Sequence, residues 1–362
     1  MDLLDGKVVA AIVGVVLLIA AGGFLVVMKP GGGKWRLLLR CMTIVTVQLF
    51  VLIAAISLIN YKFAFFRTPA EIAAFIDSDA GRKVQKVVTE QLPTDAPTVD
   101  PRYQLQWEES SDEGMKSAIL NGPESAIRGE MRAWVPRGYP EKNTDYNVIV
   151  LLPGTPGNAG AIGPAIGAPE AIQEAIDAGT IPPTILITSD MNFGGRSATC
   201  ADLAGGYKAE TWFAKDLPAA IRTNFQVTRD PTGWAVVGPS MGAYCAARLG
   251  ILHPQVYGNA VWLHGIDRPL EASFPDNPAV VDAQRLSVLA SQVEQTANLM
   301  LVSSLEDPGT IDAARAIVSA VPDPSRVFND ERATGGHGWV VWIEEFPDVL
   351  EWLSTNNQKD GG

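Results

Sequence analysis

Eight residues constrain this chain more than any others: Val236-Val237-Gly238-Pro239-Ser240-Met241-Gly242-Ala243. A β-branched pair runs into Gly-x-Ser-x-Gly, and a helix-compatible run, Ala243 to Leu249, follows. The order is strand, sharp turn, helix. A serine at such a turn takes a strained backbone conformation, and small neighbours let the strand and helix approach closely. Its hydroxyl is left at the carboxyl end of a strand, beside a helix N-terminus. A tight glycine-rich turn without chemistry is the plainer alternative.

The pattern resembles the nucleophile elbow of α/β-hydrolases, in which the triad follows in the order Ser, then Asp or Glu, then His. The serine is inert without a base, and the chain has only three histidines. His253, in Leu252-His253-Pro254, ends the elbow helix, where a ring can meet the last carbonyls. It reads as structural. His264 ends the strand Gly258–Leu263 and either lines the pocket or is a satisfied, partly buried histidine. His337 sits in Thr334-Gly335-Gly336-His337-Gly338-Trp339, between a strand-like and a helical run. Glycines on both sides let a loop present the ring, so His337 is the expected general base.

The acid should lie between Ser240 and His337. The strand Asn298–Ser304 ends in Leu305-Glu306-Asp307-Pro308-Gly309. A carboxylate there can accept the second ring N–H of the base and stabilise the imidazolium. Asp307 is preferred, because Pro308 fixes the following turn and a short side chain is more rigid. Glu306 is the alternative acid, and either residue could instead cap the helix that starts near Thr310. For the oxyanion, one donor is the backbone N–H of Met241. The other is Thr155 or Gly154 in the loop Pro153-Gly154-Thr155-Pro156-Gly157-Asn158, whose prolines carry no N–H. His264, Asp190 and Trp339 are the residues expected to line the pocket.

The amino-terminal residues belong to a different solvent. Val8 to Met28 holds no charge and is long enough to span a bilayer, and Cys41 to Ile59 is a second such run. Lys29, Lys34, Arg36 and Arg40 between them place that connection in the cytoplasm by the positive-inside rule. The remainder would then be extracytoplasmic, in a protein of the cell membrane crossing it twice. A cleaved signal peptide fits poorly, since Asp2 and Asp5 precede the first run. Tyr61, Phe63, Phe65 and Phe66 read as an interfacial belt.

A net charge of −12 over 362 residues, with no basic stripe, argues against nucleic-acid binding. No Cys/His cluster has metal-ligand spacing, so neither a metal nor a cofactor is expected. Cys200 falls in a loop after the strand Thr184–Thr188, and Cys245 on the elbow helix. A disulfide between them would pin a pocket loop to that helix in an oxidising compartment, with two free buried thiols as the alternative.

From Ala126 onward strands alternate with helices, which implies a mostly parallel sheet covered on both faces, with ligands at the carboxyl ends of its strands. The strands expected are Arg128–Val135, Tyr146–Leu152, Thr184–Thr188, Trp234–Val237, Gly258–Leu263, Leu299–Ser303 and Ser325–Asn329. The helices are Pro169–Ala178, Thr211–Phe225, Met241–Leu252, Thr310–Ala320 and Val341–Ser354. Residues 1–68 form the two-helix anchor, 69–125 a juxtamembrane helical region and linker, and 126–362 the catalytic domain. A lid is expected within Asp267–Gln295.

These residues together resemble the esterase family that includes esterase D and the secreted mycolyltransferases of mycobacteria and corynebacteria. The resemblance covers roughly Ala126 to Leu353 and is carried by Gly-Pro-Ser240-Met-Gly, Gly-Gly-His337-Gly-Trp-x-x-Trp and Leu-Leu-Pro-Gly154-Thr155-Pro-Gly. Thr199-Cys200-Ala201-Asp202, with Glu210-Thr211-Trp212, is similar to membrane-anchored actinobacterial members. The resemblance implies an α/β-hydrolase fold with Ser240 as nucleophile, His337 as base and Asp307 as acid. Mycolyltransferases usually use glutamate as the acid, which keeps Glu306 open. They commonly carry Asp where this chain has Pro153, which argues against trehalose as acceptor. The implied function is a serine esterase or acyltransferase acting on an ester, with a lipid or glycolipid of the cell envelope as substrate. A non-catalytic envelope-binding scaffold on the same fold is the rival.

Overall fold

The computed structural model describes residues 3, 5–63, 69, 100–109, 114–142, 144–155, 157–193, 200–202, 206–269 and 278–356. Most of the expected juxtamembrane helix and linker, the aromatic residues after Phe63, the loop Gly194–Thr199 and part of the expected lid lie outside them. The chain divides into two compact units, Met1–Ser78 with Gly336–Val340, and Asp79–Gly335 with Val341–Gly362.

The first unit holds helices α1 (Gly6–Met28) and α2 (Lys34–Phe63), each long and apolar enough to cross a membrane. They pack on each other at Gly23, where a β carbon would fall 2.7 Å from a methyl of Val47. The second helix starts at Lys34, several residues before the apolar run that announces it. Lys34, Arg36 and Arg40 therefore lie on its first turns. The Arg40 guanidinium donates to the Lys29 carbonyl at 2.7 Å, satisfying a carbonyl that the end of α1 leaves open.

The second unit is built on a sheet of nine strands among the described residues, in the order β1-β2-β3-β5-β4-β6-β7-β8-β9. They are β1 (Glu108–Glu109), β2 (Lys116–Asn121), β3 (Arg128–Trp134), β4 (Asn147–Leu151), β5 (Thr184–Ser189), β6 (Trp234–Pro239), β7 (Asn259–Leu263), β8 (Asn298–Ser304) and β9 (Val327–Arg332). From β5 to β9 every pairing is parallel, while β1, β2 and β3 join antiparallel. Every residue of β5, β6 and β7 is buried, as a parallel sheet covered on both faces requires.

The sheet thus begins before Ala126, with β1 and β2. The segment ahead of β3 is fastened by Asp216, a fully buried carboxylate that accepts from the Tyr103 hydroxyl and from the Glu124 and Ser125 amides. The helix expected over Thr211–Phe225 is interrupted: a π-helical turn spans Trp212–Asp216 before helix Leu217–Asn224. The wider turn closes from the Leu217 amide to the Trp212 carbonyl, while the Phe213 carbonyl accepts from the Tyr257 hydroxyl and Pro218, next in the chain, has no N–H to give. Helix Ala159–Ala165, after β4, carried no clear periodicity and was not anticipated.

The chain runs from β4 out to β5, then returns past β4 to make β6. Connections therefore leave in opposite directions from the carboxyl ends of β4 and β6, which pair directly, Leu151 beside Val237. That divergence opens a crevice at the switch point. The loop of Gly154 and the turn of Ser240 are the two segments that meet there.

Candidate active site

Ser240 sits between β6 and the elbow helix Met241–Leu252 at φ 56° and ψ −117°, a conformation that side chains rarely adopt. The turn is held by the Ser240 amide donating to Leu263 O at 2.9 Å, and by the Ala243 amide donating to Ser240 O at 3.1 Å. Its side chain makes no cap on the helix it opens. The flanking glycines are required by contact. A β carbon on Gly238 would lie 2.4 Å from the backbone of Gly242, and one on Gly242 would lie 2.5 Å from Leu152 O.

The same close approach brings in the loop after β4. A β carbon on Gly154 would stand 3.4 Å from Ser240 Cβ and 3.9 Å from its Oγ. Gly154 and Thr155 therefore lie alongside the nucleophile candidate, in a turn closed by the Gly157 amide on Gly154 O at 2.8 Å. Asn192 donates to Gly157 O at 2.9 Å. Asp190 accepts from Ala159 and Glu130 amides, so its carboxylate serves the backbone around this loop. Met241, the first residue of the elbow helix, has a buried side chain.

Cys200 and Cys245 are joined by a disulfide, with their Cα atoms 5.5 Å apart. Beyond it, buried Arg248 on the elbow helix donates to Cys200 O, to Gln284 and to Glu210. Glu210 also bonds the ring of His253 at 2.9 Å, so that histidine turns to a side chain rather than to the helix carbonyls. Burial pushes the Glu210 carboxyl up, but His253 and Arg248 outweigh it and bring the group down to about 2. Within the segment expected as a lid, helices Pro278–Ala283 and Leu286–Ala290 are described, and Gln284 O between them accepts from the Tyr244 hydroxyl.

Among the described residues, four that are not glycine take positive φ: Ala126, Cys200, Ser240 and His264. Three of these are the elbow serine, a disulfide cysteine and the end of the neighbouring strand. Strain of this kind persists where surrounding bonds over-determine it, and it gathers at functional sites.

His264 does not line open space. It has no exposure, and both ring nitrogens face carboxylates: Nδ1 to Asp307 at 3.0 Å and Nε2 to Glu345 at 2.9 Å. Burial pushes the imidazolium toward losing its proton, but hydrogen bonds and charge from both carboxylates prevail and raise its pKa to about 9. Arg332 on β9 lies 3.6 Å from Glu345 and also pairs with Asp330 and Asp348. Glu345 escaped the sequence reading. Its signal was a lone acid on the buried stripe Trp342, Phe346, Val349 and Leu353 of the last helix, Trp339–Asn356.

The two candidate acids separate. Asp307 is buried and accepts from His264 Nδ1 on Oδ2, while Glu306 is partly exposed and accepts the Gly335 amide at 3.2 Å, two residues before His337. The first amide of the helix Thr310–Ala320 bonds the backbone carbonyl of Asp307 at 3.3 Å. His337 and Trp339 lie in the stretch Gly336–Val340 and are partly buried.

A sequence profile of the family described as "Putative esterase" matches residues 126–353. The chain belongs to that family. Among curated relatives of this esterase, an uncharacterized protein of Corynebacterium glutamicum is 23% identical over 242 residues, 61% of this chain and 56% of that one. The diacylglycerol acyltransferase/mycolyltransferase Ag85A of Mycobacterium tuberculosis is 42% identical over 69 residues, 19% of this chain and 20% of that one. The match thus spans about half the length of the first relative and a fifth of the second. A solved ferulic acid esterase superposes with a TM-score of 0.58 at 16% identity, covering 67% of this chain and 98% of its own. Likeness at that identity concerns the fold, and the fold is that of the α/β-hydrolases.

Proposed function

We propose that this chain is a membrane-anchored serine esterase or acyltransferase that works through an acyl-enzyme on Ser240. The observation that carries the reading is the elbow itself, a serine at φ 56° with Gly154 packed against it at the switch point of a parallel sheet. Ser240 Oγ attacks the ester carbonyl carbon while His337 takes its proton. The amides of Met241 and of the Gly154–Thr155 loop receive the oxyanion. His337 then protonates the departing alcohol, leaving the acyl group on Ser240. Water or a second alcohol, deprotonated by His337, releases the acid or a new ester.

Glu306 is the acid in this reading. Its carboxylate already meets the loop that carries His337 through the Gly335 amide, whereas Asp307 is engaged by His264. The sequence preference for Asp307 rests on the turn fixed by Pro308 and on a short side chain, and the neighbouring imidazole is not visible there.

Two helices of sufficient length and apolarity, joined by a basic connection, support an anchor with its turn in the cytoplasm and the catalytic unit outside. An enzyme held at the bilayer suits an ester that stays there, and the name of the mycobacterial relative, a diacylglycerol acyltransferase/mycolyltransferase, supports acyl transfer. The test is labelling of the full chain in detergent with a fluorophosphonate probe. An adduct on Ser240, absent in Ser240→Ala, is expected; a folded wild type that takes no adduct would instead favour the binding scaffold. Acyl transfer from a lipid donor to a supplied sugar, with little free acid released, separates transferase from hydrolase.

A further inference from the structure

Three segments of the esterase unit converge on a residue that the triad does not include. Leu263, immediately before His264, accepts the Ser240 amide and so fixes the elbow. The His264 amide donates to Val302 O on β8, the strand that leads into the acid loop. From this backbone, bent to φ 51°, the ring reaches Asp307 in the acid loop on one side and Glu345 of the last helix on the other. The acid loop contributes Glu306, and the last helix begins two residues after His337.

We propose that His264 is a positioning residue for catalysis: its ring ties the loop that offers Glu306 to the helix that follows His337, and so keeps acid and base in register behind Ser240. The proposal rests on the assignment of Ser240, His337 and Glu306 in the preceding section.

The chemistry of the clamp favours one ionic state. A neutral imidazole has one N–H and can donate to a single carboxylate, whereas an imidazolium donates to both. Asp307 and Glu345 are each nearly devoid of exposure, so a carboxylate that loses the ring N–H gives up a charge-assisted bond where water does not replace it. Among the described residues Glu345 Oε2 has no hydrogen-bond partner, which makes its pairing through Oε1 with His264 the more consequential. The groups that face the ring are Asp307 from the acid loop and Glu345 from the last helix. Arg332 of β9 stands behind Glu345, flanked by Asp330 and Asp348.

Full-length protein in detergent is assayed with a short p-nitrophenyl ester, well below every variant's melting temperature, together with the rate of fluorophosphonate labelling. His264→Gln is expected to lower kcat and the labelling rate by about tenfold or more with little change in KM, since small misplacement of catalytic groups costs rates of that order. A role confined to stability would lower the melting temperature and leave kcat of the folded variant unchanged, which would overturn the proposal. Should His264→Gln fail to fold, the pH profiles decide. Wild-type kcat should fall as pH rises through about 9, and the falling limb should move to lower pH in Glu345→Gln. A wild-type profile with no falling limb there, or a limb that Glu345→Gln does not move, overturns it. Wild type that forms no Ser240 adduct removes the catalytic reading and this proposal with it. An adduct formed equally fast by wild type and His264→Gln removes this proposal alone.

Discussion

Gly242 lies so close to Leu152 that a β carbon on the glycine would come within 2.5 Å of the leucine carbonyl oxygen. The elbow helix and the loop after β4 are therefore stacked backbone on backbone beside Ser240. Gly242→Ala should force the two apart. We expect a stability loss of about 1–3 kcal/mol, the usual range for overpacking. Labelling of Ser240 should slow by up to about 10²-fold, because the displaced backbone carries the proposed oxyanion donors. Chemical denaturation alongside probe kinetics checks both, and an alanine variant that labels at the wild-type rate contradicts the stacking argument.

The strain at Ser240 makes an opposite prediction. Ser240→Ala removes the hydroxyl but keeps a β carbon at φ 56°, whereas Ser240→Gly removes both. The glycine variant should be the more stable of the two by about 1 kcal/mol, strain relief exceeding the entropy that glycine adds to the unfolded chain. Melting temperatures of the two inactive variants decide it.

Cys200 and Cys245 close a loop with a sequence separation of 45. Replacing both with serine should cost about 2–4 kcal/mol through the freed unfolded chain. Labelling of Ser240 should persist, because Arg248 still holds the Cys200 carbonyl and Glu210 beside the elbow helix. Unfolding of the double variant that matches wild type would argue against this account.

Glu306 and Asp307 should respond differently to loss of charge. Glu306→Gln should leave the melting temperature near wild type while lowering kcat by about 10³-fold or more, the scale seen when the residue orienting a catalytic histidine loses its charge. Asp307→Asn should mainly lower stability, since it strips His264 of one counter-charge. The reverse pattern would restore Asp307 as the acid.

The buried imidazolium links folding to pH. His264 has a folded pKa raised to about 9 against an ordinary value of 6.5, so between those values the folded chain holds a proton that the unfolded chain does not. Its stabilisation is complete below about pH 6.5, declines as pH rises and is lost above about 9, on the order of 3 kcal/mol in all. Urea unfolding across this range should show stability falling with pH, and His264→Gln should flatten that slope.

The amino-acid order alone carried the strand-turn-helix at Ser240, the alternation of strands with helices, the two apolar helices and the choice of cysteines. Each of these is a local pattern, set by side-chain period, by glycine at tight contacts or by a run of apolar residues. What the tertiary structure decided is how distant charges share partners. Asp307 and Glu306 are adjacent acids in one loop, and only folding sets His264 beside the first and the Gly335 amide beside the second. Glu345 is an acid on an apolar helix stripe, and only the packing of that stripe sets it against the His264 ring. Strands β1 and β2 joined the sheet through pairings with distant residues that such short segments do not announce. Burial turns a side chain's worth into a property of its neighbours, and neighbours so far apart along a chain are fixed only when the sheet brings their strand ends together.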